Sequence, residues 1–136
     1  MGPTPEIHIL VLFSCWTGEV EQLALAAAVG AVQARALIRL RRMADPTDSP
    51  NDRLSRDYVA PRAADTAWAD GFVMAVFGHD LPHIHALGGR EGKPEVWLRE
   101  RDVLSDSEGG RVDRNGARLL GRQVAETART RKGSTQ

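Results

Sequence analysis

Glu6-Ile7-His8-Ile9-Leu10-Val11-Leu12-Phe13-Ser14-Cys15-Trp16-Thr17-Gly18-Glu19-Val20-Glu21-Gln22 is the stretch on which the fold turns. From Ile7 to Phe13 it is almost continuously apolar and rich in branched side chains. That pattern belongs to a strand covered on both faces, as in a parallel sheet. Thr17-Gly18 breaks the run, and Glu19 and Glu21 then fall in the first turn of a helix, where acids complement the dipole. Val20, Leu23, Ala24, Ala27 and Ala31 recur at helical spacing and form the face that meets the sheet.

Outward from this unit the alternation continues. Ala36 to Leu40 reads as a second strand and Phe72 to Phe77 as a third. Between them, Asp45 to Arg56 is crowded with Pro, Asp, Ser and Asn and reads as a solvated loop, and Ala63 to Trp68 reads as a short helix. Glu95 to Leu98 is a fourth, edge strand entered from the turn Gly92-Lys93-Pro94. Arg114 to Arg129 is an amphipathic final helix with Leu119, Leu120, Val124 and Ala128 on one side, and residues 131–136 form a frayed tail. Strands alternating with helices predict one α/β domain over residues 1–130, a three-layer sandwich around an open, mostly parallel sheet. In such sheets ligands bind beyond the carboxyl ends of the strands, at the switch point. The loops Ser14 to Gly18 and Phe77 to Pro82 lie there.

Eighteen basic residues balance eighteen acidic ones, so no net charge draws the chain to nucleic acid or an anionic membrane. A single cysteine forbids an intrachain disulfide and suits a reducing cytoplasm. The apolar run Ile9 to Phe13 is far too short to span a bilayer. The expectation is a cytoplasmic protein with neither nucleic acid nor membrane as partner.

Four constellations bear on chemistry. Cys15 precedes a helix N-terminus, a position that favours thiolate. A phosphatase-type nucleophile there needs an arginine six residues on, and Glu21 occupies that place. Cys15 therefore reads as a small loop residue. His79, His83 and His85 cluster: in an extended segment the last two share a face, and with His79 or Asp80 they suit either Zn²⁺ or a similar ion, or else a polar surface turn. Arg35, Arg39, Arg41 and Arg42 interleave with apolar residues, as a solvated face or a site for an NADP phosphate. Trp16 can stack on a ligand ring or cover the sheet edge.

Tyr58-Val59-Ala60-Pro61-Arg62-Ala63-Ala64-Asp65-Thr66-Ala67-Trp68-Ala69-Asp70 resembles the segment before the third strand in the NAD(P)H:quinone oxidoreductases of the tryptophan-repressor-binding-protein type. Gly121-Arg122-Gln123-Val124-Ala125-Glu126 resembles the start of their last helix, and the opening strand, loop and helix resemble their flavin-phosphate region. Together these stretches cover about half the chain. The resemblance implies a flavodoxin-like fold, bound FMN, two-electron transfer from NAD(P)H to a quinone, and a homo-oligomer. It makes Ser14, Cys15, Trp16, Thr17, Gly18 and Val20 the flavin-binding loop, with Ser14, Thr17, Gly18 and Val20 at the phosphate, and it sets Phe77, Gly78 and His79 beside the isoalloxazine ring. No residue stands out as a general acid or base.

The chain departs from that family in three respects. It is shorter, and the missing length falls between the third strand and the last helix, so the sheet is shortened at one edge. Val20 stands where a polar residue is usual, and Glu19 where a small polar residue or histidine is usual. A lost hydroxyl donor to phosphate costs roughly 1.5–3 kcal/mol, and a carboxylate at about 4 Å adds roughly 1–4 kcal/mol. The competing expectation is therefore a flavodoxin-like binding or scaffold module that has lost FMN.

Overall fold

The computed structural model describes residues 6–14, 18–44, 53–98 and 113–134. In chain order these form β1 (Ile7–Phe13), α1 (Gly18–Gln33), β2 (Ala36–Arg42), α2 (Arg53–Asp57), α3 (Ala63–Trp68) and β3 (Gly71–Ala75). A 3-10 turn (Gly78–Asp80) then runs into α4 (Leu81–Leu87), followed by β4 (Glu95–Trp97) and α5 (Arg114–Ser134). The strands make one sheet in the order β2-β1-β3-β4, every pair parallel. With helices on both faces, this is the flavodoxin-like open sandwich. Among the described residues no helix is long and apolar enough to cross a membrane.

β1 is central, and its residues serve both layers. Ile7, Ile9, Val11 and Phe13 enter the core beneath α1 and α5, while Leu10 and Leu12 enter a second core with Phe72, Met74, Ala69 and Ile84. Only His8 in this strand is less than fully buried. Beyond β1, the Ser14 N–H donates to the Ala75 carbonyl at 2.9 Å and the Met43 N–H to the Phe13 carbonyl at 2.8 Å. These bonds hold the ends of β1, β2 and β3 level at the carboxyl edge.

Several elements differ from expectation. A short helix, α2, lies in the segment read as loop. β2 runs two residues past Leu40, with Arg41 and Arg42 still paired to Leu12 and Phe13 of β1; Arg41 also pairs with the carboxylate of Asp65 at 3.1 Å and the Arg42 N–H donates to the Val59 carbonyl at 3.1 Å. The arginines of β2 are thus not a solvated face. Arg39 also pairs with Asp65, at 3.1 Å, and lies 4.3 Å from the Trp68 ring, which in turn stacks on His8 at 4.4 Å. Burial works against the Asp65 carboxylate, but the Arg62 N–H and then Arg41 outweigh it, and its pKa sits below the usual range. This strap fixes α3 to the sheet. The histidine segment is helical rather than extended, with Pro82 in the first turn where its missing N–H is tolerated. α5 continues past Arg131 to Ser134, and Lys132 donates to the Glu6 carbonyl at 2.8 Å.

α1 and α5 cross at glycines. A Cβ added to Gly30 would fall 1.8 Å from the Arg118 carbonyl oxygen, and one added to Gly121 would fall 1.9 Å from that of Ala27. Backbone meets backbone here, so nothing flexible can yield. Gly30→Ala and Gly121→Ala are each expected to lose about 3 kcal/mol, the upper end of overpacking costs, despite a gain of about 1 kcal/mol in helix propensity. Gly133, with nothing within 4 Å of its Cβ position, is the control. Urea unfolding of Gly133→Ala is expected to show no loss and a gain of at most about 1 kcal/mol, since it keeps the propensity gain without the clash.

Candidate functional site

The switch point of this sheet lies between β1 and β3, the strands whose connections leave in opposite directions. A cleft of about 310 Å³ opens at that edge, walled by Ser14 after β1, Arg42 and Met43 at the end of β2, and Phe77, His79 and Asp80 after β3. The volume is at the small end of ligand pockets. One wall carries an aromatic pair: the rings of Phe77 and His79 stack at 4.9 Å, 20° from parallel.

Asp80 organises the other wall. Its Oδ2 accepts the Ser14 hydroxyl at 2.6 Å and the Phe77 N–H at 3.2 Å, and the Asp80 N–H donates back to the Phe77 carbonyl at 3.1 Å. The reciprocal bonds lock the carboxylate in place. His79 Nε2 lies 3.7 Å from the other carboxylate oxygen. The carboxylate thus bridges serine and imidazole, so the histidine is not placed to take the serine proton.

Of the residues expected to bind flavin, Ser14, Phe77 and His79 meet at this cleft. Gly78 is exposed beside it, and Gly18 opens α1. Val20 is fully buried in the core under the sheet, so only its backbone is left to meet a ligand. Cys15, Trp16 and Thr17 lie outside the described residues. His83 reaches the cleft, whereas His85 instead meets the Arg90 guanidinium at 3.0 Å. Among the described residues no group of three His, Cys, Asp or Glu is placed to hold a metal ion. The loop from Phe77 to Pro82 could be placed at the ligand edge from sequence, but the bond from Ser14 to Asp80, 66 positions away, could not, because it depends on the β1–β3 pairing.

Behind the first turn of α1 a second carboxylate is committed to structure. Glu21 accepts two bonds from Arg53, at 2.7 and 3.1 Å, and one from the Tyr58 hydroxyl at 2.6 Å. Arg53 first, then Tyr58, holds its carboxyl below the usual range in spite of burial. Burial, and next the bond to Glu21, pushes the Tyr58 phenol up to about 12. The ring packs edge-on against Phe13 at 4.9 Å. The position that a phosphatase would fill with arginine is therefore a tether for the segment from Arg53 to Tyr58.

Tyr58→Phe keeps the ring and removes the donor, and is expected to cost about 1.5–3 kcal/mol near neutral pH. A phenol whose pKa is raised on folding stabilises fully below its unfolded value near 10 and loses that contribution as pH rises through about 12. The Glu21 contribution has the opposite sense, present above the ordinary glutamate pKa and lost as pH falls below it. Urea unfolding at pH 8, 10 and 11 is expected to show the gap between parent and Tyr58→Phe closing only at the alkaline end.

No protein-family model matches the chain and no curated protein matches it, so the chemistry of the cleft is read from its own residues.

Proposed function

We propose that the chain is an FMN-associated oxidoreductase of the flavodoxin-like kind, resembling the quinone reductases that take two electrons from NAD(P)H. The observation that carries this is the cleft at the β1–β3 switch point, with the stacked Phe77 and His79 rings beside it. The described residues fit the ring end of a flavin: an aromatic pair on one side and Met43 on another, in a site large enough for a planar heterocycle. When bound, FMN supplies the electron chemistry, and the protein supplies position and electrostatics. Phe77 and His79 orient the ring, and the Arg42 guanidinium contributes positive charge to a wall that Asp80 makes negative.

Self-association belongs to the same proposal. Leu25, Val29 and Val32 form an exposed stripe on α1, 37%, 50% and 53% accessible, and no charged residue occurs from Gln22 to Ala34. A contiguous apolar, uncharged face of this kind suits a second copy of a chain whose net charge is zero.

The second reading, a flavodoxin-like module without flavin, is favoured by one observation: the Ser14 hydroxyl is already donated to Asp80. An FMN titration followed by quenching of flavin fluorescence separates the two. Saturable binding in the micromolar range is expected, weakened roughly tenfold to a hundredfold in Thr17→Ala through loss of a donor to the charged phosphate. The FMN-loaded protein is then expected to oxidise NADH or NADPH with a quinone as acceptor. No quenching at hundreds of micromolar rejects the flavin and leaves the second reading.

A further inference from the structure

We propose that Asp80 sets how strongly this site discriminates between a phosphorylated flavin and an unphosphorylated one, an inference that rests on the cleft being a flavin site. The Asp80 side chain is only 13% exposed, and its Oδ2 takes a hydrogen bond from each strand end flanking the switch point, Ser14 after β1 and Phe77 after β3. The Ser14 hydroxyl is the donor that a phosphoryl oxygen arriving beyond β1 would use. A serine hydroxyl has one proton to donate. A phosphate at Ser14 must therefore displace the carboxylate oxygen.

Displacement does not remove the opposing charge. The carboxylate is anchored through the paired Phe77 and Asp80 backbone bonds, so it remains in the wall of the cleft beside any incoming anion. Arg42, His79 and His83 line the same cleft and act on either flavin, but a carboxylate opposes only the phosphorylated one. A terminal ribityl hydroxyl, by contrast, can donate to Asp80, because a hydroxyl is both donor and acceptor. The carboxylate penalises FMN and accommodates riboflavin.

Dissociation constants for FMN and for riboflavin, measured on the parent, Asp80→Asn and Asp80→Glu, test this. Asparagine keeps an oxygen acceptor for Ser14 and Phe77 and drops the charge. Asp80→Asn is expected to tighten FMN roughly tenfold or more while riboflavin changes less than about threefold. Asp80→Glu keeps the charge and is expected to hold the parent preference within about threefold. Thermal melts of the flavin-free variants check that each folds. Equal changes for both flavins, no change in Asp80→Asn, or an Asp80→Glu that behaves like Asp80→Asn overturns the role of Asp80 while leaving the flavin site standing. Failure of both flavins to bind parent and variants alike overturns the flavin reading, and this inference with it.

Discussion

Gly30 and Gly121 let two helices approach until backbone touches backbone, and the other layers are arranged around that contact. α1 carries the loop at the end of β1, and α5 returns the chain across the same face of the sheet. Pressed together, they cover the β1 and β3 side with mostly small residues, Ala24, Ala27, Ala31, Ala117, Ala125 and Ala128. Bulk then comes from the sheet itself, through Ile7, Ile9, Val11 and Phe13. The distribution is that of a close-packed interior, where large and small side chains interlock rather than average out.

Charge does a different task on this scaffold. Three carboxylates hold irregular segments against regular ones: Asp65 straps α3 to β2, Glu21 ties the segment from Arg53 to Tyr58 to the start of α1, and Asp80 joins the turn after β3 to the end of β1. The first two have guanidinium partners and pKa values below the usual carboxylate range. Asp80 instead rests on a hydroxyl and a backbone N–H. It alone of the three lines the cleft.

Much of the architecture was legible because periodicity encodes burial. The unbroken apolar run from Ile9 to Phe13 could only be a strand covered on both sides, and the Val20-to-Ala31 spacing placed α1 against it. The histidine segment misled because His83-Ile84-His85 reads as period two in isolation, whereas Asp80-Leu81-Pro82 is a helix start. The arginines of β2 misled because their partner, Asp65, lies on another element, and local pattern carries no information on such pairs. The same limit applies at the site. Ser14, Phe77 and His79 could be named from the loops that hold them, but the bond between Ser14 and Asp80 depends on strand order.

Tyr58 is the chain's single tyrosine, and its hydroxyl touches Glu21 in the first turn of α1. Between the ordinary tyrosine value of about 10 and about 12 the tethered phenol stays protonated while a released one ionises, so its ultraviolet absorbance in that range is a label-free optical reporter of the tether. A ligand that shifts the first turn of α1 would alter that signal even if it has no colour of its own. The tether thus gives the protein a built-in spectroscopic channel for screening colourless compounds.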